Sequence, residues 1–351
     1  MITKQIAVLG AILLTAGILV ACSKTDTTGT GTTTTPAAAT PNLPATTFNY
    51  NVAYPAHVAQ ALQAQDNTPA GNAITNDGAT LGRVLFYDKN LSRNNTISCA
   101  SCHSPSKGFS DDAVKSLGFA GGMTGRHSMP AINLRFYQNG RMFWDERAAT
   151  LEQQVLLPIQ DTTEMGVTLT NLVTKLQSVS YYPNLFQKAF GTNEVTADRI
   201  SRALSQFIRS IVTYQAKYDR VKQGLESFTA DEAAGEQLFN TPRGPGNLSC
   251  NSCHTAPMFI TSNAPPFGLA DANDAGINGQ NRFKSSTLRN ITQTLPLFHN
   301  GSVPTLEAML ASNIPAHGVP QQDRARIIAF LRTLTDNTIN TETRFSDPFV
   351  R

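Results

Sequence analysis

The chain has 351 residues, 40% of them hydrophobic, with 28 Lys and Arg against 25 Asp and Glu for a formal charge of +3. That length suffices for one large or two medium domains with a sizeable core. So mild a charge balance, with no Lys/Arg block, gives no sign of a nucleic-acid surface.

Met1–Ala21 carries Lys4 and then a run from Ile6 to Val20 that is apolar apart from Gly10, Thr15 and Gly17. The run is short for a membrane span and lacks a stop-transfer flank, so residues 1–21 read as an export signal outside the fold. It ends Leu19-Val20-Ala21-Cys22, the small-residue pattern of a bacterial lipoprotein signal. Cys22 is therefore expected to become the lipidated first residue of the mature chain, a membrane anchor rather than a disulfide partner. Loss of Lys4 then lowers the charge to +2 (3 − 1). Ser23, by resemblance to lipoprotein sorting rules, points to a periplasm-facing outer-membrane protein. Residues 22–47 are rich in Thr, Pro, Ala and Gly with almost no large apolar side chains. Such a segment cannot offset the entropy of ordering and reads as a flexible tether.

A first folded module is expected over 48–224. It contains Gly82-Arg83-Val84-Leu85-Phe86, then Ser98-Cys99-Ala100-Ser101-Cys102-His103, then a Gly-rich loop at 119–125. Leu172, Val173 and Leu176 mark a short helix. Ile200, Ala203, Leu204, Phe207, Ile208, Ile211 and Val212 recur at three- and four-residue steps, which predicts one long amphipathic helix from Thr196 to Lys217. A seam near 222–228 separates the second module, 225–351. There Thr229-Ala230-Asp231-Glu232 is a capping box opening a helix with Leu238 and Phe239. A loop at 241–248 leads to Ser249-Cys250-Asn251-Ser252-Cys253-His254, a second loop covers 263–280, and Ile327, Ile328, Phe330, Leu331 and Leu334 mark a last helix after Pro320. No alternating pattern is long enough for a sheet. The fold expected is mainly α.

The two Cys-x-x-Cys-His strings stand 151 residues apart and use four of the five cysteines. In each, two thiols can form thioethers to a haem's vinyl groups while the imidazole ligates iron. A zinc site or a redox dithiol would not explain why His follows the second Cys both times. The reading is two covalently bound haem c groups, on Cys99, Cys102, His103 and on Cys250, Cys253, His254. Export suits such covalent attachment. A Gly, a Leu-Phe pair, a polar loop and Ser-Cys precede each string at nearly equal spacing, which argues for two related modules with the Leu-Phe pairs packed on porphyrin.

Further strings carry a family resemblance. The first module has Phe143-Trp144-Asp145-Glu146-Arg147, Leu151-Glu152-Gln153-Gln154, Pro158-Ile159 and Glu164-Met165-Gly166. The second has Phe283-Lys284, Thr287-Leu288-Arg289-Asn290, Pro296 through Phe298-His299-Asn300-Gly301, and Thr305-Leu306-Glu307. With both haem strings, these resemble the bacterial di-haem cytochrome c peroxidase family, including its MauG-like branch, over residues 79–351. The resemblance implies two cytochrome c-like haem domains with long connecting loops, peroxide meeting the N-terminal haem and electrons relayed by the C-terminal one. It implies that Trp144 sits between the haems, where its π-system and Nε1–H suit coupling. It implies that Glu164, 20 residues beyond Trp144, is the acid–base carboxylate, and that Gln154, ten beyond, orients peroxide or water. Glu146 stands where the family has Gly and is expected to disturb the turn or the local potential.

The same resemblance sorts the histidines. His103 and His254 are the proximal ligands. Peroxidases of the family carry a displaceable His in the loop after the first haem string, but 118–125 has none, as in the MauG-like branch. His127 falls at the position of an Asn that helps bind calcium, with Thr294 and Pro296 as the other calcium positions. That leaves a possible calcium site with a changed ligand, since imidazole suits a hard cation poorly, and His127 itself as an alternative sixth ligand. His299 is architecture near the second haem, and His57, ahead of the family region, reads as a helix-surface residue. The second haem's sixth ligand, Met or Tyr in the family, is expected 14 residues beyond His299, at Asn313. Met309 and His317 flank that position and remain equal alternatives, with Met309 as plain core the bland one. The activity implied is reduction of hydrogen peroxide to water with electrons from a small cytochrome c or cupredoxin. A MauG-like oxidation of a protein side chain and a non-enzymatic di-haem electron carrier are the alternatives.

Overall fold

The computed structural model describes residues 40–243, 246–265, 271–314 and 317–349. The expected signal, Cys22 and most of the tether lie outside the described residues. Among those described, the chain is helical, with isolated bridges in place of strands.

Helix α1 is Ala56–Gln65 and α2 is Asn76–Tyr87, capped by the Thr75 hydroxyl, which accepts the Gly78 N–H. Two short helices, α3 (Leu151–Gln154) and α4 (Leu157–Gln160), precede α5 (Leu169–Ser178), α6 (Tyr182–Phe190) and α7 (Ala197–Ser210). Then come α8 (Lys217–Lys222), α9 (Ala230–Asn240), α10 (Leu306–Leu310), α11 (Gln321–Arg332) and α12 (Thr338–Thr341). Thr229 and Glu232 close the expected capping box on α9.

The repeated glycines mark repeated helix crossings. A Cβ on Gly82 of α2 would lie 2.0 Å from the Ala203 carbonyl oxygen of α7. A Cβ on Gly235 of α9 would lie 2.0 Å from the Arg326 carbonyl oxygen of α11. Only a residue without a Cβ lets the backbones approach that closely. Each crossing is flanked by three phenylalanines. Phe86 stands 5.3 Å from Phe207 and 5.9 Å from Phe109. Phe239 stands 5.3 Å from Phe330 and 5.7 Å from Phe259.

The duplication continues into the connecting loops. Asn133 and Asn290 both adopt positive φ, at 56° and 57°. Their side chains accept the Thr213 and Asp336 N–H groups at 3.0 and 2.9 Å. Phe143-Trp144-Asp145-Glu146 corresponds to Phe298-His299-Asn300-Gly301, each inside an isolated bridge and each followed by a Thr-capped Leu-Glu helix, α3 or α10. The modules exchange backbone bonds reciprocally: the His127 N–H donates to the His299 carbonyl and the Lys284 N–H to the Trp144 carbonyl, both at 2.8 Å.

Three expectations need correction. The long helix stops at Ser210 rather than running to Lys217. Beyond it Asn133 takes the Thr213 N–H, and the Asp336 carboxylate takes the Tyr214 and Gln215 N–H groups at 2.9 Å, so tertiary acceptors replace the helical ones. His57 is not a bare surface residue: its Nε2 is 2.9 Å from Asp219 Oδ1, and Asp219 is fully buried. The tether is pinned before residue 47, because the Asn42 N–H donates to the Pro348 carbonyl at 2.7 Å and Leu43 packs on the first core. Ile339, Phe345 and Phe349 also belong to that core, so the segment after α12 crosses back to the first module.

Candidate functional site

Each Cys-x-x-Cys-His string forms a tight 3-10 turn built the same way. Ser101 Oγ accepts the Ser98 N–H at 3.0 Å, and Ser252 Oγ accepts the Ser249 N–H at 3.2 Å. The His103 N–H reaches the Cys99 carbonyl and the His254 N–H the Cys250 carbonyl, both at 2.9 Å. All four cysteines are free, as thioether formation requires. Burial pushes the Cys99 thiol up to about 12 and Cys102 to about 11. His103 Nδ1 lies 2.9 Å from the Phe109 carbonyl, a bond that fixes the ring and leaves Nε2 for a metal. His254 Nδ1 meets Ser285 Oγ at 3.4 Å.

Over the first turn lies a cavity of about 480 Å³ lined by Cys99, Cys102, His103, Trp144, Gln154 and Glu164. A smaller one, about 140 Å³, lies over the second turn, lined by Trp144, Cys250, Cys253, His254, Met309 and His317. Phe86 and Phe239, of the expected Leu-Phe pairs, line one cavity each. Among the described residues Trp144 alone lines both. Its Nε1–H donates to the His127 carbonyl at 2.7 Å, which fixes the indole between the modules.

Glu164 is half-buried on the loop after α4. Asp161 Oδ1 accepts its N–H at 3.1 Å, and its carbonyl accepts the Phe119 N–H at 2.9 Å. Gly118 rests so closely on this loop that a Cβ there would lie 1.7 Å from the Thr163 carbonyl oxygen. The glycine-rich 118–125 loop thus serves to seat the segment carrying Glu164. Burial first, then the nearby Asp161 charge, holds the Glu164 carboxyl above its ordinary range.

Met309 and His317 both line the second cavity, and His317 stands beside His254. Its ring lies 6.4 Å from that of His254, centroid to centroid, and 21° from parallel. Two imidazoles bound to one metal through bonds of about 2 Å would have their ring centres up to roughly 6 Å apart. His317 Nδ1 is buried without a protein partner. Burial, then the Arg243 charge, draws His317 down to about 4; burial, then His317, draws His254 down to about 3. Both are neutral, as ligands must be. Met309 is buried in the second core as well as facing the cavity, and Asn313 is exposed and lines neither cavity. By the module repeat Met309 matches Gln154, and His317 sits on the loop after α10 as Glu164 sits on the loop after α3 and α4.

His127 lines the first cavity, but its Nδ1 is 3.0 Å from the Ala113 carbonyl and its Nε2 is 3.4 Å from Ser110 Oγ. His299 does not line the second cavity: its Nε2 meets Asp271 at 2.9 Å and its ring stacks on Phe283 at 3.6 Å. Among the described residues no group of three or more His, Cys, Asp or Glu is gathered for a metal ion. Sequence reasoning missed Arg126. Its guanidinium grips Asp274 at 2.6 and 2.7 Å and Asp145 at 2.7 Å, next to Trp144. Its string was visible, but its partners lie 148 and 19 residues away (274 − 126, 145 − 126).

The profile of a family described as di-haem cytochrome c peroxidase matches residues 76–227. The chain is 33% identical over 291 residues to the methylamine utilization protein MauG of Methylorubrum extorquens, covering 76% of this chain and 80% of that one. It is 35% identical over 275 residues to the cytochrome c551 peroxidase of Nitrosomonas europaea, covering 74% and 80%. A crystal structure of a MauG-like protein associated with microbial copper homeostasis superposes with a TM-score of 0.73 at 26% identity, covering 86% of this chain and 99% of that one.

Proposed function

The chain belongs to the di-haem cytochrome c peroxidase family, MauG proteins included, and from that membership we propose that it reduces hydrogen peroxide to water at the His103 site. Electrons enter at the His254 site from a small cytochrome c or cupredoxin. The two c-type haems of the family fit both sites: each has a thiol pair, a half-buried imidazole whose pKa is lowered by desolvation, and a lined cavity. Haem supplies the redox chemistry, with iron as the atom that meets peroxide. The chain's own residues supply the rest. Glu164 takes a proton from the peroxide and returns it to the departing oxygen, a task suited to a half-buried carboxyl of raised pKa. Gln154 orients peroxide or water through its amide. His254 and His317 would hold the iron of the second haem.

The observation that carries this reading is Trp144, one π-system bordering both cavities. An electron carrier would need neither a roomy first cavity nor a half-buried carboxyl in it. A peroxide-driven oxidation of a protein side chain is the second reading. It is favoured by the first cavity's lack of a free histidine, since His127 has both ring nitrogens engaged within the protein. For the same reason the proposal carries no calcium at His127 and no gate there.

Mixing the fully oxidised protein with peroxide in a stopped-flow instrument tests the reading. The expected result is one high-spin and one low-spin haem at rest, and reaction without prior reduction. Trp144→Ala should retain that peroxide reaction and lose delivery of electrons from the second site. Two low-spin haems indifferent to peroxide in both redox states would establish a carrier instead. Reaction only after half-reduction, with low-spin character lost in His127→Ala, would make His127 the gate.

We also propose export and lipid anchoring through Cys22 at a periplasm-facing outer-membrane surface. Cys22→Ser is expected to move the protein into the soluble fraction with both haems attached. Persistent membrane fractionation of that variant would exclude the anchor. Among the described residues no helix is long and apolar enough to cross a membrane.

A further inference from the structure

Three buried polar side chains meet in a cluster joined to Trp144 by one backbone hydrogen bond, from the Lys284 N–H to the Trp144 carbonyl. Tyr137 is fully buried and its hydroxyl donates to Glu146 Oε1. Lys284 is 1% exposed; its Nζ lies 3.0 Å from the Arg141 carbonyl and 3.9 Å from the centre of the Tyr137 ring. The Lys284 N–H binds the Trp144 carbonyl, so the cluster and the indole share one backbone frame. Glu146 takes a φ of 56°, a left-handed conformation unfavourable for a residue with a side chain. The second module places Gly301, at 65°, in the same turn. A carboxylate is thus held in a glycine's conformation, where it receives a buried phenol.

We propose that Tyr137 is a one-electron relay beside Trp144, giving up an electron while its phenolic proton passes to Glu146. The inference rests on the peroxide chemistry proposed above, which supplies the oxidising equivalent. In the step, the O–H bond of Tyr137 breaks and an O–H bond forms on Glu146 Oε1. The electron fills the vacancy left between the two sites by peroxide reduction. A neutral phenoxyl and a carboxylic acid remain. An electron from the external donor reverses both changes.

The surroundings select this path over its alternatives. Lys284 Nζ sits over the ring face; burial draws its pKa down to about 7, and in its protonated form it opposes a positive charge on the ring, which favours loss of the electron together with the proton. Burial, and then Glu146 itself, raise the phenol well above its ordinary range, so the proton does not leave without the electron. Glu146 also lines a further cavity of about 410 Å³, rimmed by exposed Arg141, Arg147 and Asn278. That cavity gives the transferred proton an outlet.

The test oxidises the haem-loaded protein in two ways, with peroxide and with photogenerated tris(bipyridyl)ruthenium(III), followed by rapid freezing and EPR. The expected signal is a neutral tyrosyl radical that narrows when tyrosine is ring-deuterated and disappears in Tyr137→Phe. Glu146→Gln keeps the shape and removes the base, and should slow radical formation roughly 10²-fold, the lower end for a positioned proton acceptor. A signal from the ruthenium arm alone would uphold the relay and condemn the peroxide reading. A tyrosyl signal unchanged in Tyr137→Phe, or no tyrosyl signal with either oxidant, would overturn the relay.

Discussion

Glu164→Gln lowers peroxide turnover by roughly 10²–10⁴-fold, the usual scale for a group that transfers protons in the rate-limiting step. Both haems should remain attached. The frame around the side chain is made by backbone groups, the Asp161 bond to its N–H and the Phe119 bond to its carbonyl, and glutamine keeps both. What changes is the ability to accept and return a proton. Because burial and Asp161 raise the Glu164 carboxyl, its protonated form persists to higher pH than that of an exposed glutamate. The wild-type profile should therefore show a limb above the ordinary glutamate range, and the variant should lose it. Stopped-flow kinetics with matched haem content checks both points; unchanged peroxide kinetics would remove the acid–base role.

Arg289→Leu destabilises the fold by about 3–5 kcal/mol, the range for removing one member of a buried ion pair. Arg289 and Asp219 are both fully buried and bond through two contacts, at 2.7 and 2.8 Å, with His57 as a third partner on the carboxylate. Removing the guanidinium leaves a buried charge that helices α1 and α8 cannot solvate. Burial alone would raise the Asp219 carboxyl, but the Arg289 charge and hydrogen bonds, with His57, hold it below its ordinary value. A depressed folded pKa means that the pair's contribution is full above the ordinary carboxylate value near 4 and is lost as pH falls through the folded value. In Arg289→Leu, burial is opposed only by His57 and by the Ala216 N–H, which donates to Asp219 Oδ2 at 3.0 Å, so Asp219 protonates more readily. The deficit should be largest near neutrality and shrink as the pH approaches about 4. Denaturant unfolding at several pH values measures this; a constant or widening deficit would remove Asp219 from the account.

These two sites differ in how far the sequence announces them. The haem turns were legible because ligand chemistry dictates both residue types and spacing at Cys99-x-x-Cys102-His103 and its repeat. Gly82 and Gly235 were visible as a repeat, although the helix crossings they permit need the partner helices α7 and α11. The end of α7 was not legible: Ile211 and Val212 continue the apolar period, while the acceptors that draw the chain out, on Asn133 and Asp336, are remote in sequence. His57 was misread for the same reason, its partner Asp219 being 162 residues away. His317 and Met309 are equal alternatives in sequence, because spacing alone does not show that the His317 ring lies 6.4 Å from that of His254 and nearly parallel to it. Tyr137, Glu146 and Lys284 had no shared signal, because their meeting depends on how the two modules exchange backbone hydrogen bonds.

The segment from Ile339 to Phe349 bears on the order in which this molecule assembles. It supplies three side chains to the first core, and it is tied there by Arg83 Nε on the Ser346 carbonyl at 2.7 Å and by the Tyr50 hydroxyl on the Arg344 carbonyl at 3.1 Å. A polypeptide is made from its N-terminus onward, and N-terminal portions ordinarily fold first. Here the earlier-made module cannot complete its interior until residues 339–349 have emerged. Residues 339–349 then act as a clasp, closing the older module only after the younger one has been made.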